Sequence, residues 1–319
     1  MNSILPKSFS FINRFAKWEG NPILRPQGEI ATDCIFNPGA VSTENEIIML
    51  CRCINFSTPK PAENWSVSTL TFAHSKDGLN FKLDDVPFLS PDKNPVYEGG
   101  FEDPRLVWIP DENLYVLTYT GVVSKRNTVG LLALSHDLKN WEFCGEVLPG
   151  RAIAVTDRKI NGKYWAYYGN SDIFLAYSED LRHWETCPVP ALTPRPGYFD
   201  AVLCEAVSAP VITDDGIMLM YNGATDGNYR MALGERVGGF RREVNDHCYS
   251  IGWALFDRND PTKLIARSEA PVIEPQYPYE LYGISEYTTF GNALVKFKNK
   301  WYLYYGCSDT RIAVAVADE

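Results

Sequence analysis

A single strand-like phrase recurs five times along the chain, as an aromatic or aliphatic run that ends in a small or polar residue. The copies are EIIMLCRCI from residue 46, LYVLTYTGV from 114, KYWAYYGNS from 163, IMLMYNGAT from 217 and KWYLYYGCS from 300. Turn signals precede most of them, in PDENL, KINGKY, TDDGI and KNKWY; Asn-Gly or Asp-Gly between strand-like runs is the strongest local hairpin signal. A second phrase follows the first at intervals: FAHSKDGLNF (72–81), LALSHDLKNW (132–141) and LAYSEDLRHW (175–184). Each reads as a strand, a Ser-x-Asp turn and an aromatic on the next strand. Two elements recurring in the same order mark a repeat architecture. With little 3.6-residue periodicity anywhere, the pattern predicts an all-β, five-bladed β-propeller, whose radial sheets leave only short, protected edges. One domain would span 1–319, with a short N-terminal extension over about residues 1–20. The repeats are unevenly spaced, so loops in 56–70, 188–204 and 226–250 carry the excess, and a cluster of such loops on one face is where function is expected.

Composition narrows the partners. The chain is 45% hydrophobic and 13% aromatic, with 18 Tyr and 8 Trp, which favours strands over helices. A net charge of −10 argues against nucleic acid or an anionic membrane, because a phosphate-binding surface needs a basic excess. A neutral small-molecule substrate fits better. The first residues, MNSILPKSFSFINRFAKWEG, break their apolar positions with Pro6, Lys7, Asn13 and Arg14. They carry no signal-peptide apolar region, and no stretch elsewhere approaches a membrane span, so a cytoplasmic protein is expected. The eight cysteines are scattered and sit mostly in apolar runs, where reduced Cys behaves as a small hydrophobe. No His or second close Cys pair completes a zinc-like set around Cys51 and Cys53, so neither metal nor cofactor is predicted. A homo-oligomer stays open.

Polar residues at the ends of inner strands would converge on a shared axial pocket. They are Asn37 in CIFNPGAV, Arg52 in MLCRC, Asp103 and Arg105 in EGGFEDPRL, Asn222 in MYNGA, and Asp309 in YYGCSDTR. Taken alone, Glu102-Asp103-Pro104-Arg105 reads as an exposed turn with a weak ion pair. Its context differs, because GGFEDPRLVWI runs from flexible glycine straight into an apolar strand. A carboxyl carried into a buried sheet could be held protonated, as a general acid needs.

Six motifs in this order, NPGAV, FEDPRLV, KINGKYW, IFLAYSEDLRHW, ALFDRNDPTKLIARSEAPVIEP and YLYYGCSDTRIAVA, resemble those of glycoside hydrolase family 130, the β-mannoside phosphorylases and β-1,2-mannosidases. The likeness runs from about residue 20 to 317. It implies a five-bladed propeller, in agreement with the repeat count. It also implies an inverting reaction on a β-mannoside with Asp103 as general acid, delivering its proton through a hydroxyl of the bound mannose. By the same resemblance Asn37, Arg52, Arg105 and Asp309 would hold that mannose.

The nucleophile is the discriminating question. A phosphorylase must hold a dianion opposite the leaving group with several cationic donors, whereas a hydrolase needs a water and a carboxylate base. The resemblance places an Arg near the end of the third-blade strand and a His in the fourth blade of phosphorolytic members; Gly169 and Asn222 stand there instead. Arg151, in PGRAIAV, falls near a position where phosphorylases have a Lys, so one cation remains. Glu205, in VLCEAVSAPVIT, stands where they tend to have glycine, and burial would raise its pKa toward the range of a base. The plainer reading of Glu205 is a solvated or Arg-paired carboxylate at a strand start.

Additional base candidates are Glu243 and Asp246 in RREVNDHCYS, with Glu286 weaker; His247 and Trp65, the latter in PAENWSVST, could touch sugar from loops. His74, His136 and His183 sit beside the Ser-x-Asp turns and are expected at outer edges, and Trp141, Trp165, Trp184 and Trp301 are expected to pack between strands. The expected function is an inverting, exo-acting β-mannoside hydrolase, with β-1,2 as the expected linkage. The alternatives are a phosphorylase releasing mannose 1-phosphate and a non-catalytic carbohydrate-binding propeller.

Overall fold

The computed structural model describes residues 5–58, 66–93, 95–124, 127–225 and 247–319. After a short strand β1 (Ala16–Lys17), the first antiparallel group is β2 (Cys34–Ser42), β3 (Ile47–Ile54), β4 (Ser68–Ser75) and β5 (Lys82–Leu83). The second is β6 (Gly100–Ile109), β7 (Leu114–Ser124), β8 (Asn127–Ser135) and β9 (Glu142–Pro149), joined to the first by one parallel bridge, Ser68 to Gly100. The third is β10 (Ala154–Val155), β11 (Tyr164–Tyr168), β12 (Phe174–Ser178) and β13 (Glu185–Thr186). The fourth is β14 (Leu203–Ala206), β16 (Gly216–Thr225), β17 (Cys248–Phe256) and β18 (Leu264–Arg267), with β15 (Val211–Thr213) also beside β16. The fifth is β19 (Thr289–Phe297), β20 (Lys300–Cys307) and β21 (Arg311–Asp318), and its fourth strand is β1. The fold is all-β.

The recurring aromatic phrase is the second strand of every group: β3, β7, β11, β16 and β20. Such a strand is sandwiched between neighbours on both faces, which is why it is apolar throughout rather than alternating; every residue of β16 is buried. The Ser-x-Asp phrase is the turn from third to fourth strand. Asp77, Asp137 and Asp180 each accept two backbone N–H bonds through one oxygen, at 2.7–2.9 Å. The indoles of Trp141 and Trp184 donate to the Leu138 and Leu181 carbonyls in the same turns, so these Trp are packing aromatics as expected.

Core packing is cyclic. Leu50 and Leu70 of the first group meet Leu106 and Leu117 of the second, and Val116 and Leu132 meet Tyr164 and Ala166 of the third. Tyr167 and Leu175 then meet Leu219 and Tyr221, and Met218 and Trp253 meet Leu303 and Tyr305. Finally Val295 and Tyr304 of the fifth group return to Ile47 and Met49 of the first. The circuit is closed from the N-terminus. A 3-10 segment, Lys7–Arg14, buries Phe9 and Ile12 completely and stacks Phe11 on Trp301 at 4.3 Å before the chain enters β1. Residues 7–17 are thus part of the fifth group rather than an appendage. No helix among the described residues is long and apolar enough to cross a membrane.

One buried ion pair fastens this closure. Lys17 Nζ donates to Glu280 Oε2 at 2.6 Å, and the same carboxylate takes the Tyr305 hydroxyl and the Gln276 and Tyr277 amides. The Glu280 side chain is fully buried and that of Lys17 is 9% exposed. Removing one partner of such a pair leaves an uncompensated buried charge. Lys17→Met is therefore expected to lower the unfolding free energy in urea by about 3 kcal/mol, and Lys17→Met combined with Glu280→Gln to recover part of the loss.

Candidate active site

The first strands of three groups break register at their inner ends. The shifts fall between Phe36 and Gly39 in β2, Glu102 and Arg105 in β6, and Gly291 and Ala293 in β19. A bulge re-aims a side chain that would otherwise lie in the sheet plane's alternation. Here it places Asn37 and Asp103 in left-handed backbone, at φ 43° and 48°. Each precedes a proline, which has no N–H to lose from the broken ladder. Gly39 is required where the two bulges touch, because a Cβ there would lie 2.5 Å from the Pro104 carbonyl oxygen.

These ends open on a cavity of about 360 Å³ lined by Asn37, Arg52, Glu102, Asp103, Arg151, Asn170, Leu203, Glu205, Tyr249, Ile284, Ser285, Thr288, Phe290 and Asp309. All five groups, or the loops leaving them, contribute. Asp103 is 3% exposed and is the hub. Its Oδ1 accepts from Asn37 Nδ2 at 2.9 Å and from Arg52 Nη1 at 3.3 Å, and its Oδ2 accepts from Arg151 Nη2. Glu102 bridges the same two arginines, taking Arg52 Nη2 on one oxygen and Arg151 Nη2 at 2.8 Å on the other. Arg52 is braced from behind by Ser68 Oγ at 2.9 Å and lies over the Phe36 ring.

Charge is divided unequally among the carboxyls. Burial alone would push Asp103 up, but Arg151, Arg52, the Asn37 hydrogen bond and Arg105 together hold it well below the usual carboxylate range. That runs against the expectation of a carboxyl kept protonated: the surrounding guanidiniums favour the ionised form of Asp103. Glu205, 2% exposed, goes the other way, raised by burial against the opposing pull of Arg151 and Arg105 and with help from Asp103. Asp309 is pushed up to about 6, first by burial, with Arg52 opposing and Asp103 and Glu102 reinforcing.

Of the residues singled out in the sequence, Asn37, Arg52, Asp103, Arg151, Glu205 and Asp309 meet at this cavity. Arg105 does not reach its wall. It is 3% exposed, with its guanidinium spent on the Asp103 carbonyl at 2.9 Å, the Ala206 carbonyl at 2.6 and 3.1 Å, and Glu205 Oε1 at 3.4 Å. It braces the floor rather than facing a ligand. Asn222 is also off the wall, fully buried with both ends of its amide on the Gly291 backbone at 2.7 and 2.9 Å. Glu286 is exposed and off the cavity. His247 bonds the Thr225 carbonyl at 2.9 Å through Nδ1. Trp65, Glu243 and Asp246 lie outside the described residues.

Sequence reasoning left Glu102 undetermined and missed Asn170, Tyr249, Ser285 and Thr288. Glu102 was legible in principle as the residue beside Asp103, since a second carboxylate is what lets two arginines approach it. Tyr249, near the start of β17, had no motif to mark it. A larger cavity of about 900 Å³ lies at the opposite ends of the same strands, beside Ala40, Leu106 and Leu294. It holds none of the buried carboxylate and arginine cluster.

Comparisons with known proteins agree with this geometry. The glycoside hydrolase family 130 model, described as β-1,4-mannooligosaccharide phosphorylase, matches residues 25–319. The chain is 31% identical over 319 residues to a β-1,2-mannobiose phosphorylase of Thermoanaerobacter sp. (strain X514), covering 96% of this chain and 98% of that one. Among solved structures, a putative glycosidase of Bacteroides thetaiotaomicron superposes with TM-score 0.84 at 31% identity over 98% of this chain and 99% of that one. Another, described with glycoside hydrolases of the family that target β-1,2 mannosidic linkages in Candida mannan, superposes with TM-score 0.84 at 28% identity over 100% of this chain and 99% of that one.

The divided charge can be read directly. In carboxyl-labelled protein, the Asp309 13C signal is expected to titrate near pH 6, protonated below and ionised above. Asp103→Asn removes a charge that raises it, so the midpoint moves down; Arg52→Gln removes one that lowers it, so the midpoint moves up.

Proposed function

Because the chain belongs to glycoside hydrolase family 130, a glycoside-active family, we propose that it is an inverting, exo-acting β-mannoside hydrolase, with the β-1,2 linkage as its preferred bond. The observation that carries the choice of water over phosphate is the charge of the cavity wall. Among the described residues two arginines, Arg52 and Arg151, face four carboxyls, Glu102, Asp103, Glu205 and Asp309. Both arginines already bond carboxylates. A phosphate dianion would enter a wall with no cationic excess, whereas a neutral sugar and a water meet no such opposition. The two positions where phosphate ligands were expected offer none: Gly169 sits at φ 117° with the Asp172 carbonyl 2.4 Å from where a Cβ would be, and Asn222 is consumed by Gly291.

In this reading the terminal mannose lies over Asp103, with Asn37, Arg52 and Arg151 turning their donors to its hydroxyls. Burial is the largest influence on Asp103 and points upward. Once sugar hydroxyls take the guanidinium bonds and displace solvent, the carboxyl is free to gain a proton, which it passes through a mannose hydroxyl to the glycosidic oxygen. The C–O bond to the leaving sugar breaks as that oxygen is protonated. Glu205 takes a proton from a water that bonds to the anomeric carbon on the opposite face, so the β-mannoside yields α-mannose. The cyclic packing of five antiparallel groups and the strand β1 that completes the last support a five-bladed propeller made of one domain. The cavity is at the small end of ligand sites, about 300–1,000 Å³, which suits removal of one terminal residue.

A second reading is phosphorolysis, favoured by the activity named for the Thermoanaerobacter relative and by Arg151 at the cavity wall. Incubating β-1,2- and β-1,4-mannobiose with and without phosphate separates the two. The hydrolase reading expects mannose in the absence of phosphate, α-anomer first by 1H NMR, and kcat/KM lowered about 10²–10⁴-fold by Asp103→Asn and by Glu205→Gln. Strict phosphate dependence with mannose 1-phosphate as product would overturn it. Mannoside binding with no product from either linkage, unaffected by Asp103→Asn, would instead indicate a non-catalytic binding propeller.

A further inference from the structure

The bulge that presents Asp103 frees two backbone carbonyls from their ladder, and two side chains take them, one from β6 itself and one from β19. Arg105 Nη1 donates to the Asp103 carbonyl at 2.9 Å, and Asn292 Nδ2 donates to the Pro104 carbonyl at 2.7 Å. The same Asn292 amide reaches the Asn37 carbonyl, in the bulge of β2, at 3.3 Å. Asn292 stands at the bulge of β19, and the Gly291 N–H and C=O on its N-terminal side are both held by Asn222. Neither amide has any exposure, and neither lines the cavity.

Resting on the assignment of Asp103 as the acid, we infer that Asn292, itself fixed by Asn222, is a positioning residue that sets the angle at which the Asp103 carboxyl meets the substrate. The choice of residue type supports this. Among the described residues Asn292 Oδ1 has no partner, so the amide is kept at a cost for its donor end alone. A leucine would fill the space without that orphan oxygen but would strand two buried carbonyls. Asp103 needs such bracing, because a non-glycine residue in left-handed backbone persists only where its surroundings over-determine it. The contact ends on the Pro104 and Asn37 carbonyls, at the bulges of two residues whose side chains bond each other, and does not touch Glu205. With Asn292 shortened, water can satisfy the Pro104 carbonyl, so the fold survives while the carboxyl drifts.

An acid out of place matters only when the leaving group needs a proton. The test compares Asn292→Ala and Asn222→Ala on β-1,2-mannobiose and on 2,4-dinitrophenyl β-mannoside, whose leaving group departs unprotonated, with phosphate present and absent. Asn292→Ala is expected to lower kcat on mannobiose by roughly 10²-fold, the effect of about a 1 Å misplacement. KM should stay within about 3-fold and the aryl mannoside should lose less than about 3-fold. Asn222→Ala should shift the same way by less. Should Asn292→Ala fail to fold, Asn292→Leu, which fills the space but lacks the donor, carries the same comparison. Asp103→Asn is the reference: no loss on mannobiose there would overturn the acid assignment. A leaving-group-dependent loss for Asp103→Asn, with wild-type kcat or equal losses on both substrates for the folded Asn292 variant, would overturn the positioning role alone.

Discussion

A carboxylate almost removed from water, at the meeting point of several sheets, is the constraint around which the rest of this molecule is arranged. Ionised Asp103 at 3% exposure would be costly without partners. Its partners come from three other strands or loops: Asn37 on β2, Arg52 on β3 and Arg151 ahead of β10. The arginines in turn need more negative charge than one carboxylate supplies, and Glu102 provides it. Satisfying one buried anion therefore draws together residues from the first three groups, with Asn37 and Arg151 114 positions apart in sequence.

The same constraint explains why regular strands are abandoned at the cavity. A side chain in an unbroken ladder projects into the packing between sheets, not along their inner ends. The bulges at Asn37 and Asp103 turn the side chains toward one another, at the expense of broken ladders. Arg105 and Asn292 donate to the carbonyls freed there, and Asn222 pairs both backbone groups of Gly291 at the bulge of β19. Polar residues near the site thus fall into two layers. One faces the ligand, and the other restores backbone hydrogen bonds that the first layer disrupted.

This layering also explains what the sequence could and could not disclose. The β-rich fold was legible because a second strand buried on both faces must be apolar from end to end, and the copies of that pattern coincide with β3, β7, β11, β16 and β20. Asp103, Arg52 and Asn37 were legible because a polar residue inside or beside such a run has few reasons to be there other than a shared pocket. Arg105 and Asn222 carry the same signal and yet lie beneath the cavity, since a motif cannot distinguish a guanidinium that faces a sugar from one that caps a carbonyl. Asn292 gave no signal at all: Phe-Gly-Asn-Ala is an unremarkable stretch until its bulge is seen. The protonation state of Asp103 was misjudged for a related reason. Burial was inferable from the flanking sequence, but the arginines that outweigh it arrive from distant segments.

The two layers give the cavity an electrostatic polarity that bears on its chemistry. Asp103 sits where the guanidinium bonds are densest, whereas Glu205 is reached by Arg105 only at 3.4 Å and keeps a raised pKa through burial. A neutral sugar entering between them competes for the donors around Asp103 but takes none from Glu205. In the proposed reading, binding would therefore raise the proton affinity of the first carboxyl more than that of the second, and bring the two closer. A dianion in place of the sugar's water partner would act oppositely, drawing Arg151 away and setting its own charge against Glu205. In the proposed reading, the arrangement of carboxyls would couple sugar binding to proton uptake, most readily when the second reactant carries no charge.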